Sequence, residues 1–395
     1  MMIIKALTTN YAIAYAVKAC DVDVISAYPI TPQTTIVEKL DEFIEKGELD
    51  AKMVRVESEH SAMATCIGGA AAGVRAYTAT SSHGLFYMYE MLWWAAGARL
   101  PIVMGVVMRA LAPPWTIWTE YADLLALRDS GWLIFMAENA QEVLDLTIQA
   151  FKIAENEEVL LPVMIGWDAF IASHTAEPVD VPDQEIIDKF LPPRTSGAYF
   201  IDGSEIVSIG NLAYPDVYME FRYSMYRSIE TARDVIGKVG REYGEKVGRD
   251  YSMLFEDYKC EDAKYVFVSL GSMCGDIKDA VDYLRDRGEK VGLCRIRTIR
   301  PFPGKEISRI LEDKKGVIVL ERDISMGHGG IIATDLAASL YLNGINVPLI
   351  AYTAGLGGRE VNMDSIIEIY SLSKLKLEKR ERTWFTWYGV KKEVM

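Results

Sequence analysis

Cysteine is scarce in this chain. The five present, Cys20, Cys66, Cys260, Cys274 and Cys294, are odd in number and include no Cys-x-x-Cys pair. This excludes a disulfide framework and leaves no zinc site or iron–sulfur cluster to be read; it fits buried, reduced thiols in a cytoplasmic protein. Basic charge is also short, with 42 Lys and Arg against 56 Asp and Glu and a net charge of −14. A nucleic-acid partner is therefore not expected, because a phosphate backbone is bound by a basic surface. An acidic surface suits solubility or a basic partner subunit. No membrane span is expected either: the most apolar stretch, Met91 to Val107, is broken by Arg99 and Pro101. Met1 to Cys20 has the look of a weak signal peptide, but Thr8-Thr9-Asn10 ahead of Tyr11 to Val17 reads better as a capped helix. The chain has no Gly-x-x-x-x-Gly-Lys-Ser/Thr, no His-Glu-x-x-His and no Gly-x-Ser-x-Gly, which removes the common phosphate-loop, zinc-protease and serine-hydrolase readings. No metal ligands are assigned.

With 395 residues, half of them hydrophobic and a quarter charged, the chain is long enough for two or three domains. Apolar runs at Val22–Ala27, Ala76–Thr80, Ile102–Met108, Leu133–Ala137 and Leu160–Ile165 read as buried strands. Helical periods fall between them at Thr35–Lys46, His60–Ala72, Phe86–Ala96 and Gln141–Ala154. This alternation predicts a doubly wound, mainly parallel α/β domain over residues 1–177. Residues 178–260 read as a connecting segment, first extended and rich in Pro and Asp, then a long charged helix over Val217–Tyr243. A second α/β domain is expected over 261–373, with strands at Tyr265–Leu270, Val291–Ile296, Gly316–Leu320 and Val347–Tyr352 and helices at Gly275–Arg287, Lys305–Leu311 and Ile331–Leu342. The tail, 374–395, carries Trp384, Phe385, Trp387 and Tyr388 and is expected to pack on a neighbour.

Two motifs carry the chemistry. Tyr28-Pro29-Ile30-Thr31-Pro32 closes the first apolar run in a stiff turn that presents a hydroxyl. Val56-Glu57-Ser58-Glu59-His60-Ser61-Ala62 places two carboxylates and an imidazole before the small-residue run Gly68 to Gly73. A carboxylate entering such a segment needs a partner, and burial would raise its pKa. Glu59 then suits a shared proton with a ring nitrogen of a bound heterocycle, or, equally, an ordinary helix N-terminal carboxylate. Arg109 follows the Ile102–Met108 strand at the sheet edge where ligands gather, and suits either a substrate carboxylate or a salt bridge to Glu120 or Asp123. The loop Ala112-Pro113-Pro114-Trp115-Thr116-Ile117-Trp118 either walls a pocket beside Arg109 or packs on a partner. His83 is a polar site residue or a structural one. Gly355-Leu356-Gly357-Gly358-Arg359 is a weak dinucleotide signal, being short of Gly-x-Gly-x-x-Gly.

Taken in order, Tyr28-Pro29-Ile30-Thr31-Pro32-Gln33-Thr34, Val56 to Ala62, Thr78-Ala79-Thr80-Ser81, Arg99 to Met104, Arg128-Asp129-Ser130-Gly131-Trp132, Arg300-Pro301-Phe302-Pro303 and Gly355 to Arg359 resemble the alpha subunit of 2-oxoacid:ferredoxin oxidoreductases. The resemblance spans nearly the whole chain. It implies thiamin-diphosphate-enzyme folds: a pyrimidine-binding domain over 1–177 and a transketolase C-terminal-like domain over 261–373. It implies thiamin diphosphate shared with a beta subunit that holds the diphosphate, Mg²⁺ and a proximal cluster, which accounts for the missing Gly-Asp-Gly and cluster cysteines. A delta subunit would carry further [4Fe–4S] clusters and a gamma subunit would help to bind coenzyme A. Ferredoxin would accept the electrons from oxidative decarboxylation of a 2-oxoacid to acyl-CoA and CO₂. Glu59 would hydrogen-bond the aminopyrimidine and promote its imino tautomer. Thr31 and Arg109 would hold the substrate carboxylate, and Tyr28, Pro29, Ile30 and His83 would line the cofactor. The Pro-Pro-Trp loop and Glu90-Met91-Leu92 look more like the branched-chain, 2-oxoisovalerate type than the pyruvate type, which is the alternative; a non-catalytic scaffold lies outside the class.

Overall fold

The computed structural model describes residues 3–111, 113–194, 201, 206–379, 381 and 384–394. Ala112 of the aromatic loop, and parts of the connecting segment and the tail, lie outside the described residues. In chain order the first part comprises β1 (Ile3–Leu7), α1 (Thr9–Ala19), β2 (Val24–Ala27), α2 (Thr34–Glu45), β3 (Lys52–Arg55), α3 (Glu59–Ala71), β4 (Ala76–Thr80), α4 (Ser82–Tyr87), α5 (Tyr89–Gly97), β5 (Ile102–Met108), α6 (Ala122–Leu125), β6 (Leu133–Met136), α7 (Ala140–Ala154), β7 (Val163–Asp168), β8 (Glu177–Val181), α8 (Gln184–Phe190) and α9 (Tyr218–Val247). Then follow β9 (Phe255–Tyr258), β10 (Tyr265–Leu270), α10 (Met273–Arg285), β11 (Val291–Ile296), β12 (Thr298–Arg300), α11 (Gly304–Leu311), β13 (Gly316–Glu321), α12 (Ile331–Leu342), β14 (Leu349–Thr353), α13 (Met363–Glu378) and β15 (Phe385–Trp387).

Two large sheets result. The first runs β12-β6-β7-β5-β4-β2-β3 and is parallel except for β12; the second runs β15-β14-β13-β10-β11-β9 and is parallel except for β9. Strands β4 and β5 are buried along their whole length, as expected of parallel strands covered on both faces. One core cluster joins the sheets, holding Met104 and Ile134 of the first together with Val266 and Val319 of the second. A buried ion network reinforces this junction: Glu142 of α7 receives both Arg295 Nη atoms at 2.7 Å and Arg297 Nε at 2.8 Å. The two guanidiniums hold its carboxyl down to about 2 despite burial.

The expected α/β class holds, with several local corrections. The single helix expected over Phe86–Ala96 is two, α4 and α5, which meet at Met88, whose backbone leaves the helical region as its side chain enters the core. The segment after 177 is not simply extended: β8 pairs antiparallel with β1, and its Pro178 is tolerated because the sheet has only two strands. Strand β3 escapes an apolar-run search because it is an edge strand and only half-buried. Strand β9 joins the second sheet ahead of residue 261, and β12 returns to the first. The tail, expected on a neighbour, pairs β15 with β14 of its own sheet. Among the described residues, no helix is long and apolar enough to cross a membrane.

Candidate active site

The site forms where the first sheet reverses its winding. The chain leaves β2 toward β3 on one side, and β4 lies on the other; ligands bind at such switch points, beyond the C-terminal strand ends. The turn 28–32 follows β2, the segment 81–84 follows β4, and Arg109 follows β5. Glu59 opens α3, just after β3.

Ser58 caps α3, its hydroxyl accepting from the Ser61 N–H at 3.3 Å. This leaves Glu59 as the first helical residue with its side chain turned inward, 5% exposed. The other charges of the motif go elsewhere. Glu57 accepts from the Ser61 hydroxyl near the surface, and His60 lies 4.0 Å from exposed Glu90. Burial raises the Glu59 carboxyl above the usual range, opposed only by backbone N–H bonding. Among the described residues no other side chain hydrogen-bonds to it. Gly84 of α4 makes room for it: a Cβ there would lie 2.4 Å from Glu59 Oε1 and 2.5 Å from Thr80 Oγ1. Thr80 Oγ1 is itself buried without a hydrogen-bond partner among the described residues. A buried carboxylate and a buried hydroxyl, both unpartnered by side chains and faced by a glycine, fit a polar heterocycle that supplies donors.

Arg109, 6% exposed, is aimed into the same region. Its guanidinium does not pair with Glu120 or Asp123. Nη1 donates to the Thr31 carbonyl, Nη2 lies 3.4 Å from His83 Nδ1, and Trp115 covers it with a ring centroid 5.5 Å from Cζ. Its Nε is buried without an acceptor among the described residues. Burial pulls the Arg109 cation below its ordinary range, and burial with the Arg109 charge does the same to His83. Since His83 and Gly84 are neighbours in α4, Arg109 and Glu59 flank one short segment.

Thr31 is exposed and meets Arg109 through its carbonyl. Tyr28 and Pro29 are exposed and Ile30 is half-buried. Buried Gln33 and Asn10 hold this turn: Gln33 Oε1 accepts from the Ile30 N–H at 3.3 Å while its Nε2 donates to the Ala79 carbonyl at 3.0 Å, and Asn10 Nδ2 donates to the Pro32 carbonyl at 2.8 Å. Asp123, read in sequence only as a salt-bridge partner, is instead a backbone clamp. Its Oδ2 accepts from both the Ser82 and Arg109 N–H groups at 3.0 Å, and Oδ1 from Leu124 N–H at 2.7 Å. One carboxylate thus ties the ends of β4 and β5 together, while burial pushes its carboxyl up to about 7. The roles of Gln33, Asn10 and Gly84, and of Asp123 as a clamp, depend on neighbours distant along the chain and are not legible in sequence. The sole local signal was Gly84 next to His83.

The chain has counterparts among known proteins along nearly its whole length. Residues 15–241 match the family described as pyruvate flavodoxin/ferredoxin oxidoreductase, thiamine diphosphate-binding, and residues 263–366 match pyruvate:ferredoxin oxidoreductase core domain II. The chain is 48% identical over 385 residues to ketoisovalerate oxidoreductase subunit VorA of Pyrococcus abyssi, covering 96% of this chain and 97% of that one. It is 46% identical to pyruvate synthase subunit PorA of Methanocaldococcus jannaschii, covering 98% of each. In fold it resembles a 2-oxoglutarate:ferredoxin oxidoreductase from Magnetococcus marinus with a TM-score of 0.73 at 18% identity, covering 95% of this chain and 65% of that one. Matched along nearly its whole length, the chain belongs to the alpha-subunit family of the 2-oxoacid:ferredoxin oxidoreductases.

Proposed function

We propose that this chain supplies the aminopyrimidine side of a thiamin diphosphate site and the carboxylate anchor for a 2-oxoacid. The assembled enzyme would decarboxylate the 2-oxoacid oxidatively to acyl-CoA and CO₂ and reduce ferredoxin. The observation that carries this is the inward, side-chain-unpartnered Glu59 facing Gly84. When bound, the cofactor supplies the electron sink for decarboxylation. Glu59 holds a proton against a ring nitrogen at its carboxylate, a role suited to a carboxyl raised by burial. Arg109 offers its charge to the substrate carboxylate, which would relieve an incompletely bonded buried cation. The Thr31 carbonyl and His83 orient that guanidinium, and Tyr28, Pro29 and Ile30 border the cofactor. The Trp115 ring lies over that guanidinium.

The partners in this reading are beta, gamma and delta subunits, with Mg²⁺ and [4Fe–4S] clusters held by them, and the setting is cytoplasmic. The branched 2-oxoisovalerate is the favoured substrate. The Trp115 and Trp118 wall supports it, as does 48% identity to a ketoisovalerate oxidoreductase subunit against 44% to a pyruvate synthase subunit of the same Pyrococcus abyssi. The test is dye or ferredoxin reduction by the purified assembly with coenzyme A on 2-oxoisovalerate, pyruvate and 2-oxoglutarate in parallel. A higher kcat/KM for 2-oxoisovalerate is expected; a preference for pyruvate would overturn the substrate assignment. Lack of bound thiamin diphosphate in the active assembly would overturn the site.

A further inference from the structure

The second domain reaches the proposed oxoacid wall at the turn after β14. Gly355, Gly357 and Gly358 there have φ of +75°, +63° and +80°, a region that side chains other than glycine rarely adopt. The turn also receives the aromatic loop. A Cβ on Gly358 would lie 2.6 Å from Trp118 Cβ and 3.0 Å from its Cγ, and one on Gly357 would lie 3.0 Å from Thr116 Cγ2. The Gly358 N–H donates to the Thr119 carbonyl at 3.2 Å, and the Tyr121 N–H donates to the Arg322 carbonyl at 2.9 Å. On its other side Trp118 meets Phe170, with ring centroids 4.8 Å apart, and its carbonyl accepts from the Ala110 N–H at 3.0 Å. Trp118, 45% exposed, therefore bridges the two domains, with the Gly358 backbone on one side and the Phe170 ring on the other. Three residues earlier, directly after the stiff Pro113-Pro114 pair, Trp115 lies over Arg109.

We propose that Gly358 is a specificity-determining positioning residue: the seat it forms for Trp118 sets how closely the Pro113–Trp118 loop covers Arg109, and so how bulky a 2-oxoacid side chain the site accepts. This rests on the assignment of Arg109 as the carboxylate anchor. The glycine motif is then no nucleotide loop. It lets a second-domain backbone approach a first-domain tryptophan at a distance no side chain would allow. Because the indole stem sits directly against the turn, an added methyl must displace one or the other.

The experiment measures kcat/KM of the holo-assembly for 2-oxoisovalerate and pyruvate in Gly358→Ala, Gly355→Ala and Arg109→Gln. Gly355→Ala carries the same left-handed backbone burden, but its Cβ meets Arg322 Nε at 2.9 Å rather than the loop. Gly358→Ala is expected to change the ratio of the two kcat/KM values about tenfold, the size of a pocket change of one or two methylenes. Gly355→Ala should leave the ratio within twofold. An equal loss on both substrates in Gly358→Ala, or the same ratio change in Gly355→Ala, overturns the proposal. Where Gly358→Ala does not assemble, Trp118→Phe, which shrinks the seated ring, must move the ratio, and an unchanged ratio overturns it. Arg109→Gln separates the two readings. A KM raised at least tenfold for both acids upholds the anchor whatever Gly358→Ala shows, and an unchanged KM removes the anchor and this inference with it.

Discussion

Replacing Gly84 by alanine would add one methyl group at the centre of the proposed cofactor site. Gly84 lies inside α4 with no positive φ, so alanine carries no backbone penalty and should favour the helix by about 0.5–1 kcal/mol. Any loss must then come from the contact. The new Cβ would stand 2.4 Å from Glu59 Oε1 and 2.5 Å from Thr80 Oγ1, where ordinary contacts begin near 3.4 Å. One of the groups must yield by about 1 Å, and the carboxylate end of Glu59 is the most easily moved. A misplacement of about 1 Å in a catalytic group costs roughly 10²-fold. Overpacking adds about 1–3 kcal/mol of destabilisation, partly offset by the helix gain. Gly84→Ala should therefore lower kcat/KM for the 2-oxoacid about 10²-fold and weaken thiamin diphosphate binding, with only a modest fall in melting temperature. Dye reduction titrated with the cofactor, beside a thermal melt of the same assembly, reads all three. Activity within threefold of the parent at unchanged cofactor affinity would refute the aim of Glu59 toward the cofactor.

Glu59→Gln keeps the shape but not the charge, and should cost about 10²–10⁴-fold in kcat, the usual range for a positioned acid or base; saturating cofactor should not restore it. Glu142→Gln would remove the buried counter-charge of Arg297 and leave Arg295 to Glu138 and Glu256 alone, and should destabilise the chain by about 3–5 kcal/mol in urea unfolding. Because its carboxyl is lowered to about 2, the parent should hold this contribution above the ordinary carboxylate range and lose it as pH falls toward 2. The variant should lack that acid-side loss. Asp123 has the opposite sign. Its carboxyl is raised to about 7, so its contribution is full below about 4 and declines as pH rises to 7. Asp123→Asn should flatten that decline in a pH series of melts. It should also raise the KM for the 2-oxoacid, since one amide oxygen cannot serve all three N–H groups.

Much of this was legible from residue order. The strands Ala76–Thr80, Ile102–Met108 and Val291–Ile296 and the helix Ile331–Leu342 have the boundaries that apolar runs and periods suggest, because a strand buried on both faces needs an unbroken apolar run and a helix an apolar stripe. Glu59 is legible for a similarly local reason: two carboxylates and an imidazole stand just before a small-residue run in sequence. What tertiary structure decided was which neighbours these residues meet. Sequence alone left open that β12 would return to the first sheet, that the tail would pair with β14, or that Gly84 would face Glu59. Nor did it assign Asp123 to two strand ends, or Gly358 to a tryptophan more than two hundred residues away. Periodicity specifies the face a residue buries; the partner across that face is chosen by packing and hydrogen-bond satisfaction over the whole folded chain.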